Sequence, residues 1–401
     1  MAVFLFLTYN NNMKKIAIIG NGTAGCLTAT HLSCFCNAEE ITWYYDPNIK
    51  PQAVGEGSLT DLPFDLSIGA NFNHTDLPNI GGTLKAGIRK IDWSNTDMFD
   101  ENFGFGVHAM HFNAAKLQEF LFEKIKKTTN VKIIEANITA DEIDADHIVD
   151  CSGFPKDYSD YDQSEFIPVN AAFVTQCNWD YPRFNHTLTI ARPYGWVFGI
   201  PLQNRCAIGY MYNDKINTLD EIKEDVKNIF DRFNLTPSNV TNHLSFKNYR
   251  RKLNFTKRVS YNGNASFFLE PLEATTIWLT NKNKKWVFES IYNLKTLNQI
   301  NQEYWDITDE IENVVMMHYL VGSKFKTEFW EFAYERAVKK LKLAVKNNSF
   351  RNFCNDSFSY NPKIAREPIP EYGSWDLSVM HQNLNHLNIK SKLDSLGYGL
   401  F

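Results

Sequence analysis

The sequence predicts an α/β fold with a parallel sheet, a second β-sheet inserted into it and a helical C-terminal lobe. Two patterns support this prediction. A strand, a glycine-rich turn and a helix follow one another over 14–35, and short β segments give way after about 284 to apolar residues at helical spacing. Because 401 residues exceed one simple core, we predict two domains: 1–283, with the inserted sheet at about 165–250, and 284–401.

The first elements predict a nucleotide-binding unit. The unbroken apolar run KIAIIG (15–20) is typical of a parallel strand buried on both faces. A G-x-G-x-x-G turn follows and opens a helix, and the next strand, ITWYYD (41–46), ends in an acid at the distance where a ribose hydroxyl is bound. This order favours dinucleotide binding over a tight turn without a ligand. The predicted cofactor contacts are Gly20, Gly22, Thr23, Ala24, Gly25 and Asp46, with Glu56 and Gly57 after the second strand.

The remaining elements follow from hydrophobic periodicity. Strands are predicted at VKIIEANI (131–138) and ADHIVDCSG (145–153), and a helix over GVHAMHFNAAKLQEFLFEKIKK (106–127). The inserted sheet is predicted from the runs AAFVTQCNW, LTIARPYGWVFGIPL and CAIGYMY. Helices of the C-terminal lobe are predicted around 307–315 and over FWEFAYERAVKKLKLAVK (329–346).

Composition narrows the class of protein. A net charge of −5 provides no overall basic surface for nucleic acid. The seven cysteines form no C-x-x-C pair, which favours reduced thiols in the cytoplasm and no metal site. The apolar run at the N terminus is too short for a membrane span, and Met13 is a candidate start that would make 1–12 an extension. Aromatic residues make up 14%, which indicates large cores or a pocket walled by rings.

Two residues have ordinary local interpretations. If GGTLKAGIRK (81–90) is one strand, alternation puts Lys85 on the same face as Arg89, and this pattern alone predicts a solvated lysine. Similarly, Glu273 by itself is an acid that complements the N-terminus of a following helix.

Five segments, taken in order, resemble the flavin-dependent halogenases of the tryptophan-halogenase family: GNGTAG (20–25), VGEGS (54–58), DCSGF (150–154), GWVFGIPL (195–202) and FLEPLEATT (268–276). The resemblance implies an FAD-binding Rossmann-like fold of the glutathione-reductase type, with the helical lobe on the substrate side. The short stretch between Trp93 and HAMHF (108–112) indicates a compact member with a shortened substrate region.

The resemblance also implies a wall between flavin and substrate. The family signature W-x-W-x-I-P corresponds to WVFGIP (196–201), with phenylalanine in place of the second tryptophan. The predicted wall residues are Trp196, Phe198, Ile200 and Pro201.

The chemistry implied by the resemblance is halogenation. FADH2 from a separate flavin reductase, together with O2, oxidises a halide (chloride, bromide or iodide) to hypohalous acid. Lys85 then delivers the halogen to a small electron-rich aromatic substrate, with help from Glu273. The halide is expected at the backbone N–H groups of Thr275 and Thr276. Weaker candidates on the substrate side are His108, His111 and Trp375.

Departures from the family pattern leave alternatives open. Thr276 stands where the family has glycine, and Gly263-Asn264 where it has Gly-Asp. The alternatives are a flavin-dependent aromatic monooxygenase (hydroxylase) and a non-catalytic flavin-binding protein. A phenol, an indole or another aromatic is expected in place of tryptophan, and a homo-oligomer is compatible with the sequence.

Overall fold

The computed structural model describes residues 14–49, 55–104, 107–128, 130–361 and 370–397, and the extension predicted over 1–12 lies outside these ranges. The strands are β1 (Lys15–Ile19), β2 (Glu40–Tyr45), β3 (Gly55–Gly57), β4 (Thr83–Lys85), β5 (Gly87–Ile91), β6 (Met98–Asn102), β7 (Ala109–Asn113), β8 (Val131–Glu135), β9 (His147–Asp150), β10 (Tyr161–Gln163), β11 (Ala171–Asn178), β12 (His186–Arg192), β13 (Gly195–Pro201), β14 (Arg205–Tyr212), β15 (Thr236–Ser245), β16 (Tyr249–Arg251), β17 (Val259–Tyr261), β18 (Phe267–Phe268), β19 (Glu371–Tyr372) and β20 (Trp375–Asp376). The helices are α1 (Thr23–Phe35), α2 (Asp61–Ala70), α3 (Ala114–Ile125), α4 (Leu219–Asp225), α5 (Lys227–Phe233), α6 (Thr275–Ile291), α7 (Leu297–Val321), α8 (Glu328–Ala344), α9 (Asn348–Phe358), α10 (Leu377–His386) and α11 (Ile389–Ser395).

A parallel sheet organises the nucleotide-type part of the fold. Its strand order is β17–β9–β1–β2–β8, and every neighbouring pair is parallel. Ile16 and Ile18 of the central strand are at most 1% exposed, because both faces of the sheet are covered. The strands predicted at 131–138 and 145–153 are β8 and β9. The predicted fold class is confirmed.

A second sheet has the order β15–β11–β14–β13–β12–β5–β6. Its neighbours are antiparallel except β12 and β5, which run parallel. Five strands come from the predicted insertion at 165–250, but β5 and β6 come from 87–102. The insertion therefore extends a sheet that earlier residues begin, and it places β13 two strands from β5.

The segment GGTLKAGIRK does not form one strand. β4 pairs with β7 in a small sheet, whereas β5 joins the second sheet, and Ala86 lies between them. Lys85 is fully buried, while Arg89 is partly exposed and pairs with Asp100 at 2.6 Å. The alternation that predicted a solvated Lys85 is wrong, because a period of two holds only within an uninterrupted strand.

The helix predicted over 106–127 begins only at Ala114. Residues 109–113 form β7, which pairs with both β3 and β4. Backbone pairing with distant strands overrides the helical spacing there. Within α3, the apolar residues predicted on one stripe are Leu117, Phe120, Leu121 and Ile125, of which all but the partly exposed Phe120 are buried.

The C-terminal lobe is built around α7, in which Ile311, Val314 and Val315 are fully buried. α8 packs along α7. The helix α6 crosses the predicted boundary at 283/284, and the division into two domains remains a prediction. Across the described ranges, no helix is both long and apolar enough to cross a bilayer.

Candidate active site

A cavity of about 580 Å³ extends from the turn after β1 to the start of α6. The turn contributes Gly22, the strand β13 contributes Phe198, and the segment before α6 contributes Glu273. Ligand pockets typically enclose about 300–1,000 Å³, so this cavity can hold a sizeable organic ligand.

The glycine-rich turn is shaped for a phosphate group. Gly20 has φ +94°, and a Cβ on Gly25 would lie 1.9 Å from the Gly20 carbonyl oxygen, so both positions require glycine. At Gly22 a Cβ would meet nothing within 4 Å. Gly22, Thr23 and Ala24 line the cavity, and no side chain in the described part of the chain caps α1. The N–H groups at the start of α1 can therefore bind the diphosphate of a dinucleotide, and the turn fits FAD.

Two acidic side chains and a glycine continue the cavity lining. Asp46 follows β2, and its Oδ1 accepts hydrogen bonds from the backbone N–H (2.8 Å) and Nδ2 (2.9 Å) of Asn48. Burial raises the pKa of Glu56 to about 7. A Cβ on Gly57 would lie 3.5 Å from Lys85 Nζ, so this glycine allows the lysine to approach β3.

Trp196 of the predicted wall is held in place by a hydrogen bond to a buried carboxyl group. Its indole N–H donates to Glu270 Oε2 at 2.7 Å, and the Tyr319 hydroxyl donates to the same carboxyl group at 2.8 Å. Burial raises the pKa of Glu270 to about 8, although both hydrogen bonds oppose this shift.

Phe198 and Ile200 line the cavity beside Trp196. The Phe198 ring lies directly over Gly209, where a Cβ would come within 2.0 Å of its Cζ. Pro201 is not among the described residues that line the cavity. It is buried at the end of β13, and its carbonyl accepts a hydrogen bond from the Thr83 hydroxyl at 2.6 Å.

Lys85 lines the cavity with a fully buried side chain. Its Nζ donates to the Ser58 carbonyl at 2.9 Å, and the Phe103 ring centroid lies 5.6 Å away. Burial lowers the pKa of Lys85 to about 8, although the carboxylates of Glu273 and Glu101 oppose this shift. Desolvation therefore outweighs the favourable charges.

Glu273 also lines the cavity, but its ion-pair partner is a different lysine. Oε1 lies 2.8 Å from Lys90 Nζ and 3.0 Å from His318 Nε2, and the Trp375 indole N–H donates to Oε2 at 3.2 Å. Although burial opposes ionisation, Lys90 and His318 hold the pKa of Glu273 well below its usual range. Glu273 (φ +66°) and Ala274 (φ +56°) are both left-handed, a strain typical of functional sites.

The two threonines predicted at the halide site begin α6, which no side chain of the described ranges caps. Thr276 lines the cavity, and its hydroxyl donates to the Leu269 carbonyl at 3.3 Å. Thr275 is fully buried, and its hydroxyl has no hydrogen-bond partner among the described residues.

The weaker substrate candidates lie in three different environments. His108 is exposed, and Trp375 is only 1% exposed, in the core behind Glu273. His111 is fully buried, with Nδ1 3.1 Å from the Thr83 hydroxyl and Nε2 2.9 Å from the Thr187 hydroxyl. Burial and the nearby lysine charge hold the pKa of His111 well below its usual value, so the ring is neutral.

Sequence reasoning missed four residues behind Glu273: Lys90, Glu101, His318 and Asn383. One signal for them was available. Ile88 and Lys90 lie two residues apart, on the same face of β5, and both are at most 1% exposed. A lysine that shares a strand face with a buried apolar residue is itself expected to be buried, and a buried ammonium group requires polar or acidic partners.

Comparison with known proteins identifies the family. Its profile, described as tryptophan halogenase, matches residues 15–140 and 107–364. Tryptophan 6-halogenase ThaL of Streptomyces albogriseolus is 23% identical, with 96% of this chain and 96% of that protein covered. Tryptophan 7-halogenase RebH of Lentzea aerocolonigenes is 23% identical, with 84% of this chain and 80% of that protein covered. A flavin-dependent halogenase from Xanthomonas campestris has a TM-score of 0.76 at 17% identity, covering 97% of this chain and 96% of its own. The chain therefore belongs to the tryptophan-halogenase family and is a flavin-dependent halogenase.

Proposed function

We propose that this enzyme uses FADH2, O2 and a halide to form hypohalous acid, and that Lys85 delivers the halogen to an electron-rich aromatic substrate. One observation carries the proposal: Lys85 and Glu273 line the same cavity as the glycine-rich turn and the rings of β13. A separate flavin reductase would supply the reduced cofactor, as the family resemblance implies.

When bound, the reduced flavin would supply two of the four electrons that O2 takes up, and the halide would supply the other two as it becomes hypohalous acid. The residues that would hold FAD line the cavity: Gly20, Gly22, Thr23, Ala24, Asp46, Glu56 and Gly57. Gly25, predicted with them, would act through the close packing of α1 against the turn. The halide would bind at the N–H groups of Thr275 and Thr276, since the start of α6 has no side-chain cap and a helix N-terminus favours an anion. Trp196, Phe198 and Ile200 would separate the flavin from the aromatic substrate, and Pro201, predicted with them, is buried at the end of the same strand outside the cavity lining.

Lys85 can act on hypohalous acid in either protonation state. With a pKa of about 8, roughly one tenth of its side chains carry a neutral amine at pH 7. The neutral amine can attack the halogen: an N–halogen bond forms, the halogen–oxygen bond breaks, and the released hydroxide takes the amine proton to leave as water. The ammonium form would instead donate a hydrogen bond to the oxygen of hypohalous acid.

Transfer to the substrate completes the cycle. A carbon–halogen bond forms at the ring as the nitrogen–halogen bond breaks, and the lysine nitrogen keeps that electron pair and takes up a proton. The ring cation then loses the proton from the same carbon, which restores the amine and leaves the halogenated product. The Glu273 carboxylate lines the cavity and stays ionised, and although its low pKa makes it a weak base, the ring cation is acidic enough to give it that proton.

The test is a coupled reaction with a flavin reductase, FAD, NADH, O2 and each halide, offered to phenols and indoles, with product masses recorded. We expect halogenated products from the wild type and none from Lys85→Met, which has similar length but no amine. Lys132→Met is the matched control, because Lys132 is exposed on β8. Hydroxylated products, or unchanged halogenation by Lys85→Met, would refute the proposal.

A further inference from the structure

Lys90 is a fully buried lysine whose ammonium group contacts three oxygen atoms. Its Nζ lies 2.6 Å from Glu101 Oε2, 2.6 Å from Asn383 Oδ1 and 2.8 Å from Glu273 Oε1. The contacts with Glu101 and Asn383 are hydrogen bonds, and the contact with Glu273 is an ion pair.

This set of contacts is held in place by a second layer of hydrogen bonds. Asn383 Nδ2 donates to Glu101 Oε2 at 2.6 Å and to the Val379 carbonyl at 2.9 Å, which turns its Oδ1 towards Lys90. Although burial opposes the charge, the carboxylates of Glu101 and Glu273 raise the pKa of Lys90, and it remains a cation.

Lys85 differs from Lys90 in both position and partners. Lys85 lines the cavity and donates to one backbone carbonyl, that of Ser58. Lys90 is not among the described cavity-lining residues and approaches Glu273 from the protein interior. One lysine therefore faces the cavity, and the other neutralises the carboxylate behind it.

We propose that Lys90 is a positioning residue, which holds the Glu273 carboxylate in place and so leaves the Lys85 amine without an ion-pair partner. This inference rests on the function proposed above, in which Lys85 receives the halogen. An ion pair between Glu273 and Lys85 would retain the ammonium form and make the nucleophilic amine scarce.

The effect of removing Lys90 has a definite direction. Glu273 and Glu101 favour the charged form of Lys85, whereas the positive charge of Lys90 opposes it. The other titratable groups that interact with Lys85 are the imidazoles His111 and His186, and burial lowers the pKa of each below its usual value. Loss of Lys90 removes an opposing charge and frees the Glu273 carboxylate, and both changes favour the ammonium form of Lys85 while the carboxyl groups stay ionised. Lys90 itself lowers the pKa of Glu273 and of Glu101, whose pKa burial raises to about 7.

The test measures the titration of Lys85 without flavin or halide. Cyanate is small and carbamylates neutral amines, so the rate of Lys85 modification against pH, followed by peptide mass spectrometry, reports its free amine. Exposed Lys132 serves as the internal reference. We expect a wild-type midpoint near pH 8 and an upward shift of about one pH unit in Lys90→Met and Lys90→Gln, the lower end of the effect of a nearby charge.

Three comparisons make the result decisive. Lys90→Arg keeps the cation and should leave the midpoint near the wild-type value, and Arg89→Met, which breaks the partly exposed Asp100 pair on the same strand, should do the same. Circular dichroism and thermal unfolding establish that each variant is folded. An unchanged Lys85 midpoint in a folded neutral variant would overturn the proposal. So would failure of both neutral variants to fold while Lys90→Arg folds, since Lys90 would then be purely structural.

Failure of this inference is distinguishable from failure of the proposed function. Halogenation that persists in Lys85→Met would refute the function whatever the labelling shows. Halogenation that requires Lys85, with a midpoint insensitive to Lys90, would refute only the positioning role.

Discussion

The glycine-rich turn offers a matched pair of substitutions that separates folding from cofactor binding. A Cβ on Gly25 would lie 1.9 Å from the Gly20 carbonyl oxygen and 2.8 Å from its carbon atom. Favourable contact needs about 3.5 Å, so α1 and the turn would have to separate by about 1.5 Å. A Cβ on Gly22 meets no atom within 4 Å, and its φ of −66° suits alanine.

The expected magnitudes differ because of this geometry. Both clashing atoms at Gly25 belong to the backbone, so no side-chain rotation relieves the overlap. We expect Gly25→Ala to lower the free energy of unfolding by about 3 kcal/mol, the upper end of typical overpacking costs. Gly22→Ala should cost about 1 kcal/mol or less, as for a changed helix N-cap. Because Gly22 lines the cavity, its added methyl group should raise the Kd for FAD at least tenfold, which is about 1.4 kcal/mol.

Two measurements check the pair. Urea unfolding of the cofactor-free proteins gives the stabilities, and titration of flavin fluorescence gives the Kd for FAD. Wild-type stability in Gly25→Ala would refute the argument from close packing. An unchanged Kd in Gly22→Ala, with normal folding, would show that the diphosphate does not lie against this turn.

Three further predictions follow from single contacts or pKa shifts. A Cβ on Gly209 would lie 2.0 Å from Phe198 Cζ, so Gly209→Ala should turn that ring into the cavity and weaken FAD binding about tenfold in the same fluorescence titration. The loss of stability should be only about 1 kcal/mol, because the ring can rotate away from the added methyl group. Burial raises the pKa of Glu270 from 4.5 to about 8, so the native state keeps a proton that the unfolded state has lost. The free energy of unfolding of the wild type should therefore fall as pH rises from about 4.5 to about 8, by up to about 1.4 kcal/mol per pH unit. Glu270→Gln should lack this pH-dependent loss of stability, which urea unfolding at pH 5 and pH 8 would measure. Because the pKa of Lys85 is about 8, the halogenation rate should rise with pH around that value if the amine is the reacting form, whereas a rate that falls over pH 7–9 would favour hydrogen-bond donation.

The parts of the fold that follow from the sequence are those with a local physical cause. Gly20 requires a positive φ, and the apolar run before it requires burial on both faces. The strand, the turn and the helix can therefore be predicted from about twenty consecutive residues. The helices α7 and α8 were readable for the same reason, since their apolar residues repeat with the helical period. The order of the five family segments then predicted the enzyme class.

The environments of the two lysines were decided by the tertiary structure. Local alternation predicted that Lys85 is exposed to solvent. However, Ala86 interrupts the strand, and packing around the cavity buries the Lys85 side chain. The ion pair between Lys90 and Glu273 joins β5 to the start of α6, and Asn383 of α10 completes it. Burial and charge pairing depend on which distant elements pack together, and the hydrophobic periodicity of the sequence does not predict this packing. The sequence therefore determined the fold class and the family, while only the packed structure decided which lysine neutralises the carboxylate and which one faces the cavity.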